Sequence, residues 1–598
     1  MTSTSAARKA VACQAVLIAV CLAPIVVFAQ FWPQWALDPQ HTGQVGVVGQ
    51  PMNRILASVV YDPLVPAEMA ANGGDLLAHY QVPLIDGTRV FMEFKGGNYN
   101  KNRYSTQTWG ENGFQWQSGQ LLRIWSFASD WKAPGSQNDF WEPVFHAVLA
   151  NGFIYVPGGG GTLFKLDENT GVVISRINPF ESLDPSIIVA GAPTVDSAGD
   201  VFYNAIKQFN SGNGASFYQH DIVDSWLVKV SPDDRTATVS YSFLVSRAAA
   251  NSLPAPGPGD PCLTVFSTAQ LPWPPDPTAV PAASPCGTMR PALNAAPAIG
   301  ADGTIYTVTR AHLLDGNRYG GMAAINPDLT PRWWTSFRDR LNDGCNNDAG
   351  TFPGALLPAN GTPGGCRLGA RPGVDPAQNT RPAARILDDA SSSITVAPDG
   401  SVLYGAYTRY DFARGHLMKL DANGQFLGAY SFGWDSTPAI YQHDGTYSIV
   451  IKDNEYGGGP QFGSYCNVDA ICPPRQNGPF FITQLAPNLN VEWKFQNTNN
   501  QVCTRNSDGS ITCVPNTSGT AWQNVGFEWC INAPVIDVNG VVYANSEDGN
   551  LYAINQGGTL KANIFLNQAL GAAYTPLAIG PDGAIYTENK GILLAVGQ

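Results

Sequence analysis

Three stretches combine the residue types that hold metal ions: "KDNEYGGG" with Asp453, Asn454 and Glu455, "RILDDASSS" with Asp388 and Asp389, and "DGCNNDAG" with Asp343 and Asp348. Calcium favours carboxylate and amide oxygens, so Asp453, Asn454, Glu455, Asp388 and Asp389 are the calcium candidates, although no EF-hand or glycine-rich nonapeptide spacing is matched. The plainer reading of each is a solvated loop carboxylate. Hydrolytic patterns are missing: there is no GxSxG elbow, no HExxH and no Ser-xx-Lys in a fitting context, so no catalytic residue is assigned. Four glycines at 158–161 do not open a helix, which makes them a tight link between strands rather than a phosphate cradle.

A second kind of chemistry is stacking. Tyr99, Tyr104, Trp109, Trp273, Trp434, Tyr456, Tyr465, Trp522 and Trp529 fall in long inter-strand segments beside Asn and Gln. Such rings suit sugars, peptides or protein partners, and the competing role is to pack the loops onto the body. Of these, Tyr99, Tyr104, Trp109, Trp434, Tyr456, Trp522 and Trp529 are the candidates for a ligand or partner face.

The cysteines point to an oxidising compartment. Residues 1–29 read as a cleaved signal peptide, with Arg8 and Lys9 before an apolar stretch that ends in "VVFAQ". No later segment is apolar and long enough to span a bilayer, so the expected location is secreted or periplasmic, without a transmembrane anchor. Cleavage removes Cys13 and Cys21 and leaves nine of the 11 cysteines. Their spacing predicts local bridges Cys262–Cys286, Cys345–Cys366, Cys466–Cys472 and Cys503–Cys513, with Cys530 left over. No cluster of Cys and His has the spacing of a thiolate metal site. A formal net charge of −13 with no Lys/Arg run argues against nucleic acid as a partner.

What must position these residues is a repeat. The 62 Gly and 45 Pro, with only 14% charged residues, predict an all-β chain with many turns. Eight segments share one pattern, among them "HAVLANGFIYV" from His146, "AAPAIGADGTIYT" from Ala295, "NAPVIDVNGVVYA" from Asn532 and "YTPLAIGPDGAIYT" from Tyr574. Each is two β-prone runs joined by a turn in which glycine supplies the positive φ. Seven are followed by a second hairpin, such as "GTLFKLDENTGVVISRI" or "HLMKLDANGQFLGAYSF". Two hairpins make a four-stranded antiparallel sheet, and eight such sheets arranged radially predict an eight-bladed β-propeller over residues 30–598. The last unit ends one strand short at "GILLAVGQ", and "RILASVVYD" from Arg54 is the expected closing strand.

The repeat "APVIDVNGVVYANSEDGNLYAIN", the stretch "LFKLDENTG" and the leader "FWPQWALDPQHTG" resemble the pyrroloquinoline-quinone-like propeller superfamily, which includes quinoprotein dehydrogenases and an outer-membrane assembly lipoprotein. For a dehydrogenase, that resemblance implies quinone (PQQ) and calcium held near the axis by Glu, Asn and Asp, an aspartate base, a stacking tryptophan and usually an adjacent cysteine pair. This chain has neither a Cys-Cys pair nor a CxxCH haem site.

Counting strands outward places the tight turns on one face and the long insertions on the other. Blade-to-blade links 244–293, 338–390 and 496–531 and second-to-third loops 95–113, 205–224 and 452–478 all fall on the second face. Loops of that length are usually functional. The expectation is therefore an exported propeller that recognises a ligand or partner through its loop-rich face, without quinone. The alternative is a PQQ- and calcium-dependent alcohol or sugar oxidoreductase with its site in the axial funnel.

Overall fold

The repeat that begins at Asn532 folds into four strands, Val535–Ile536, Val542–Asn545, Asn550–Asn555 and Thr559–Phe565. Its first three strands are buried: the second and third lie between two others, and the first, at the inner edge, is covered by the segment around Gly43 and Val45. The outermost is largely exposed. In the first turn, Asp537 Oδ1 accepts the N–H groups of Asn539 and Val541 at 2.9 and 3.0 Å, and Gly540 adopts φ +78°. A side chain there would meet the Tyr441 ring of the preceding blade, so glycine serves both the turn and the blade contact.

The computed structural model describes Met1 and residues 32–598, apart from 78, 102, 135–142, 210–216, 218–219, 248, 251–260, 264–282, 313–319, 338–391, 409–413, 433–435, 455–478, 517–525 and 569–575. The expected signal peptide therefore lies outside the described residues. Eight antiparallel sheets form the propeller, each ordered outward as in the sequence. Their innermost strands are Leu84–Asp86, Val148–Ala150, Ile187–Val195, Ala298–Ile299, Thr395–Val396, Ala439–His443, Val535–Ile536 and Ala578–Ile579. In the eighth sheet Arg54–Val60 pairs antiparallel with Ile592–Gly597, so strands from the two ends of the chain lie in one blade.

Blade four departs from four strands. Met289–Pro291 pairs with the same strand as Ala298–Ile299, and Ala249–Ala250 adds a parallel outer strand against Pro331–Ser336. Trp333 and Trp334 of that outer strand are buried. In blade one the second and third strands run further than the sequence suggests, Arg89–Gly96 and Thr108–Gln117, with Gly96 opposite Thr108. The loop between them is 97–107 rather than 95–113, because Lys95, Trp109 and Glu111 are buried ladder residues.

Two segments close the centre of the disc. Residues 32–50 run around the tight-turn face and bond to the blades in order: Trp32 exchanges two bonds with Ile85, and the N–H groups of Leu149, Ile299, Val396, Ile440 and Ile536 donate to Pro33, Pro39, Gln40, Thr42 and Gly43. Val195 N–H donates to Gln34 Oε1 at 2.6 Å, and Gln50 N–H donates to the Gly583 carbonyl at 2.8 Å. Trp32, Trp35 and Val45 enter the main hydrophobic core. On the other face, the strand Arg54–Val60 leads into the helix Val65–Ala71, whose Val65 packs with Leu76 and Cys530.

Candidate functional site

Between blades eight and one on the loop face lies a buried charge cluster. Lys95 Nζ stands 2.5 Å from Asp62 Oδ2, with both side chains fully buried. Asp62 Oδ1 accepts the Leu64 N–H at 2.9 Å, which fixes the turn into the helix. His79 reaches Glu68 Oε1 through Nε2 at 3.2 Å and the Tyr61 hydroxyl through Nδ1 at 3.3 Å. Leu77 N–H also donates to Glu68 Oε1. Burial alone would raise the Glu68 pKa, but His79, Lys95 and the Leu77 N–H hold it down at about 2. Burial, followed by the nearby Glu588 and Asp62 charges, pushes the Tyr61 hydroxyl well above its ordinary value.

Asp62, Glu68 and His79 each bring a ligand atom within 4.8 Å of the others. The Lys95 ammonium already supplies the cation at Asp62, and His79 spends its two nitrogens on Glu68 and on Tyr61. This arrangement is that of a structural lock on segment 61–82. None of these residues stands out by spacing in the sequence; their only signal is a set of charged residues inside apolar runs.

The sequence candidates fall into three groups. Asp453 and Asn454 end a buried strand: Asp453 Oδ2 accepts from Tyr430, Thr483 and Lys494, each at 2.9 Å, and Asn454 exchanges two bonds with the Trp529 backbone. These contacts commit the Asp453 charge to Lys494 and the Asn454 amide to a neighbouring blade. Tyr104, Trp109 and Trp529 are each 1% exposed or less, so they are packing residues rather than an open aromatic face. Trp109 packs on Trp131 and Phe145, and Trp529 on Tyr552 and Phe495. Tyr99 is half-buried and receives a bond from Asn72 at 3.3 Å. Glu455, Asp388, Asp389, Asp343, Asp348, Trp434, Tyr456 and Trp522 lie outside the described residues, as do Trp273 and Tyr465.

Cys503 and Cys513 form a disulfide across the hairpin Gln501–Arg505 and Ile511–Pro515. Cys286 is disulfide-bonded, and its expected partner Cys262 lies opposite Ser284 in a short hairpin. Cys345, Cys366, Cys466 and Cys472 are outside the described residues. Cys530 is a buried thiol whose pKa burial drives well upward. Gly158–Gly161 form a tight link, and a side chain at Gly160 or Gly161 would collide with Leu183 or Ile187.

The Trp35 ring meets His146 edge-on at 6.1 Å, and His146 Nε2 accepts the Val82 N–H at 3.3 Å, which joins leader, second blade and segment 61–82. His41 donates through Nδ1 to the Ile394 carbonyl at 2.7 Å and faces Thr194 through Nε2 at 3.5 Å. Burial lowers the pKa of both His41 and His146 to about 4, so both are neutral at pH 7. Asp453, Asn454, Trp109 and Trp529 are thus engaged in hydrogen bonds and packing. No helix among the described residues is long and apolar enough to cross a membrane.

No known family profile matches the chain, and no curated protein matches it. Among solved structures it is similar to a europium-containing methanol dehydrogenase, at 10% identity, covering 94% of this chain and 90% of that one with a TM-score of 0.48. It is also similar to the quinohemoprotein alcohol dehydrogenase from Comamonas testosteroni, at 11% identity, 95% and 81% coverage and a TM-score of 0.49. BamB from Moraxella catarrhalis follows at 9% identity, 88% and 86% coverage and a TM-score of 0.30. The fold rests on the strand pairing described above.

Proposed function

We propose that this chain is an exported, secreted or periplasmic propeller that binds a polar ligand or protein partner through its loop-rich face, without quinone and without catalysis of its own. The observation that carries the reading is a pair of orphaned amides beneath that face. Gln81 and Gln107 are each 1% exposed or less, and among the described residues neither end of either side-chain amide has a hydrogen-bond partner. Buried amides are normally satisfied; Gln81 leads into the innermost strand of blade one and Gln107 ends its second-to-third loop, so both lie at the loop-side end of that blade.

The competing reading is a PQQ- and calcium-dependent oxidoreductase. The purified protein, incubated with quinone and calcium, is followed by visible absorption and by dye-linked oxidation of alcohols and sugars. The expected result is no bound chromophore and no turnover above buffer. Turnover that depends on both additions would replace the binding reading with the enzymatic one.

A further inference from the structure

The tight-turn face, plain in the sequence, carries a cavity of about 970 Å³ between the leader and the first turns of blades one to four. Its volume is that of a small-ligand site. Four lining residues are acidic, Asp38, Asp86, Glu168 and Asp196, and none of the lining residues is Lys or Arg. Behind the wall, Arg89 pairs with Asp86 at 2.5 Å and with Glu168 at 2.8 Å, which leaves the site with a net negative charge. Burial raises the pKa of Asp38, Glu168 and Asp196, and at Glu168 the Arg89 guanidinium opposes it.

A separate observation points to a ligand with more than a charge. Gln34 lines the same cavity, is 1% exposed, and accepts the Val195 N–H at its Oε1, yet its Nε2 has no partner among the described residues. A buried donor left without an acceptor is costly, so the occupant should bring a carbonyl or hydroxyl oxygen. Apolar wall comes from Leu37, Leu149, Val195 and Ile299. A lysine side chain in a peptide has these three parts: an alkyl stem for the apolar wall, an ammonium for the carboxylates and a neighbouring main-chain carbonyl for the amide.

We infer that the cavity on the tight-turn face is a second recognition site, independent of the loop face, that accepts a lysine-bearing peptide segment. Its geometry is set by the leader, since Gln34 and Asp38 belong to it, so the segment that clasps the ring also builds the site.

The test is titration calorimetry of the full-length protein with the blocked tripeptide acetyl-Gly-Lys-Gly-amide and with the uncharged control acetyl-Gly-norleucine-Gly-amide. Binding of the lysine peptide alone is expected, and it should weaken as salt is raised because the carboxylates are only partly screened from solvent. Glu168→Gln should weaken binding about tenfold, the loss of one charge-assisted contact. Ala198→Trp and Ala301→Trp change exposed residues on the cavity wall and leave its carboxylate side chains and the main-chain bond from Ala198 N–H to Asp196 Oδ1 in place, so they should abolish binding while leaving the thermal midpoint unchanged. Absence of binding, equal binding of the norleucine peptide, or undiminished binding to both tryptophan variants would each overturn the inference.

Discussion

On the tight-turn face the ring is closed by main-chain hydrogen bonds that residues 32–50 share among blades, whereas on the loop face segment 61–82 is anchored by buried charges, Lys95 with Asp62 and His79 with Glu68. A peptide hydrogen bond does not titrate, and it tolerates many side chains. A buried ion pair depends on both partners, and removing one leaves an uncompensated charge in the interior. The same disc thus uses a sequence-tolerant clasp on one side and a sequence-sensitive lock on the other.

The largest effect should come from removing the strand that the two ends of the chain share. Deleting residues 50–62 exposes the buried edge Ile592–Gly597 and removes Asp62, so the thermal midpoint should fall sharply. An unchanged midpoint would mean that the ring does not need this strand.

Next in size is the lock. Lys95→Met strands the Asp62 carboxylate and should cost about 3–5 kcal/mol by urea unfolding. The double variant Lys95→Met with Asp62→Leu should recover most of that loss, because apolar replacement of a whole buried pair is often neutral. If the double variant is as unstable as the single, the charges are not what anchors the segment.

Acid should separate the two faces by pH window. His41 and His146, at about 4 when folded against an ordinary 6.5, bind protons more readily in the unfolded chain. Their stabilisation is therefore complete above pH 6.5 and lost as pH falls to about 4, at about 3 kcal/mol for each. Glu68 is depressed from 4.5 to about 2, so its share is present above pH 4.5 and disappears as pH falls towards 2. Urea midpoints measured from pH 7 to pH 3 should decline in two stages. Glu68→Gln should flatten only the lower stage, and His146→Asn part of the upper; a single decline confined below pH 4 would contradict the neutral axial histidines.

Least affected should be the body of the propeller when Cys503–Cys513 is reduced. The bridge closes a short hairpin outside the eight sheets, so its constraint, about 2–3 kcal/mol, is local. Hydrogen exchange should quicken in Gln501–Pro515 with the global midpoint nearly constant. A large global shift would make the hairpin part of the ring.

Much of the fold was legible in the sequence. The eight turns with glycine at the bend, as at Gly540 and Gly583, are dictated by backbone sterics, and two short apolar runs around such a turn read as a hairpin whatever surrounds them. The leader was not legible as a clasp. It is irregular, without the period of a strand or helix, and its only hint of burial is Trp, Pro and His with almost no charge across 32–41. Tyr104, Trp109 and Trp529 were assigned to an exposed face because loop residues are usually solvated. Trp109 is buried because it belongs to the strand Thr108–Gln117 and packs on Trp131 and Phe145, and Trp529 because it packs on Tyr552 and Phe495 of the neighbouring blades.

What the amino-acid order settled by itself is local: turn, hairpin, repeat number and which end of each strand bears an insertion. Which side chains converge was decided only when the ring closed. Asp62, Glu68, His79 and Lys95 span some thirty residues and three elements, and Gln34, Glu168 and Asp196 belong to the leader and two blades. Contacts of that kind depend on long-range packing, because a charge or an amide becomes a site only after its neighbours have been brought to it and water has been taken away.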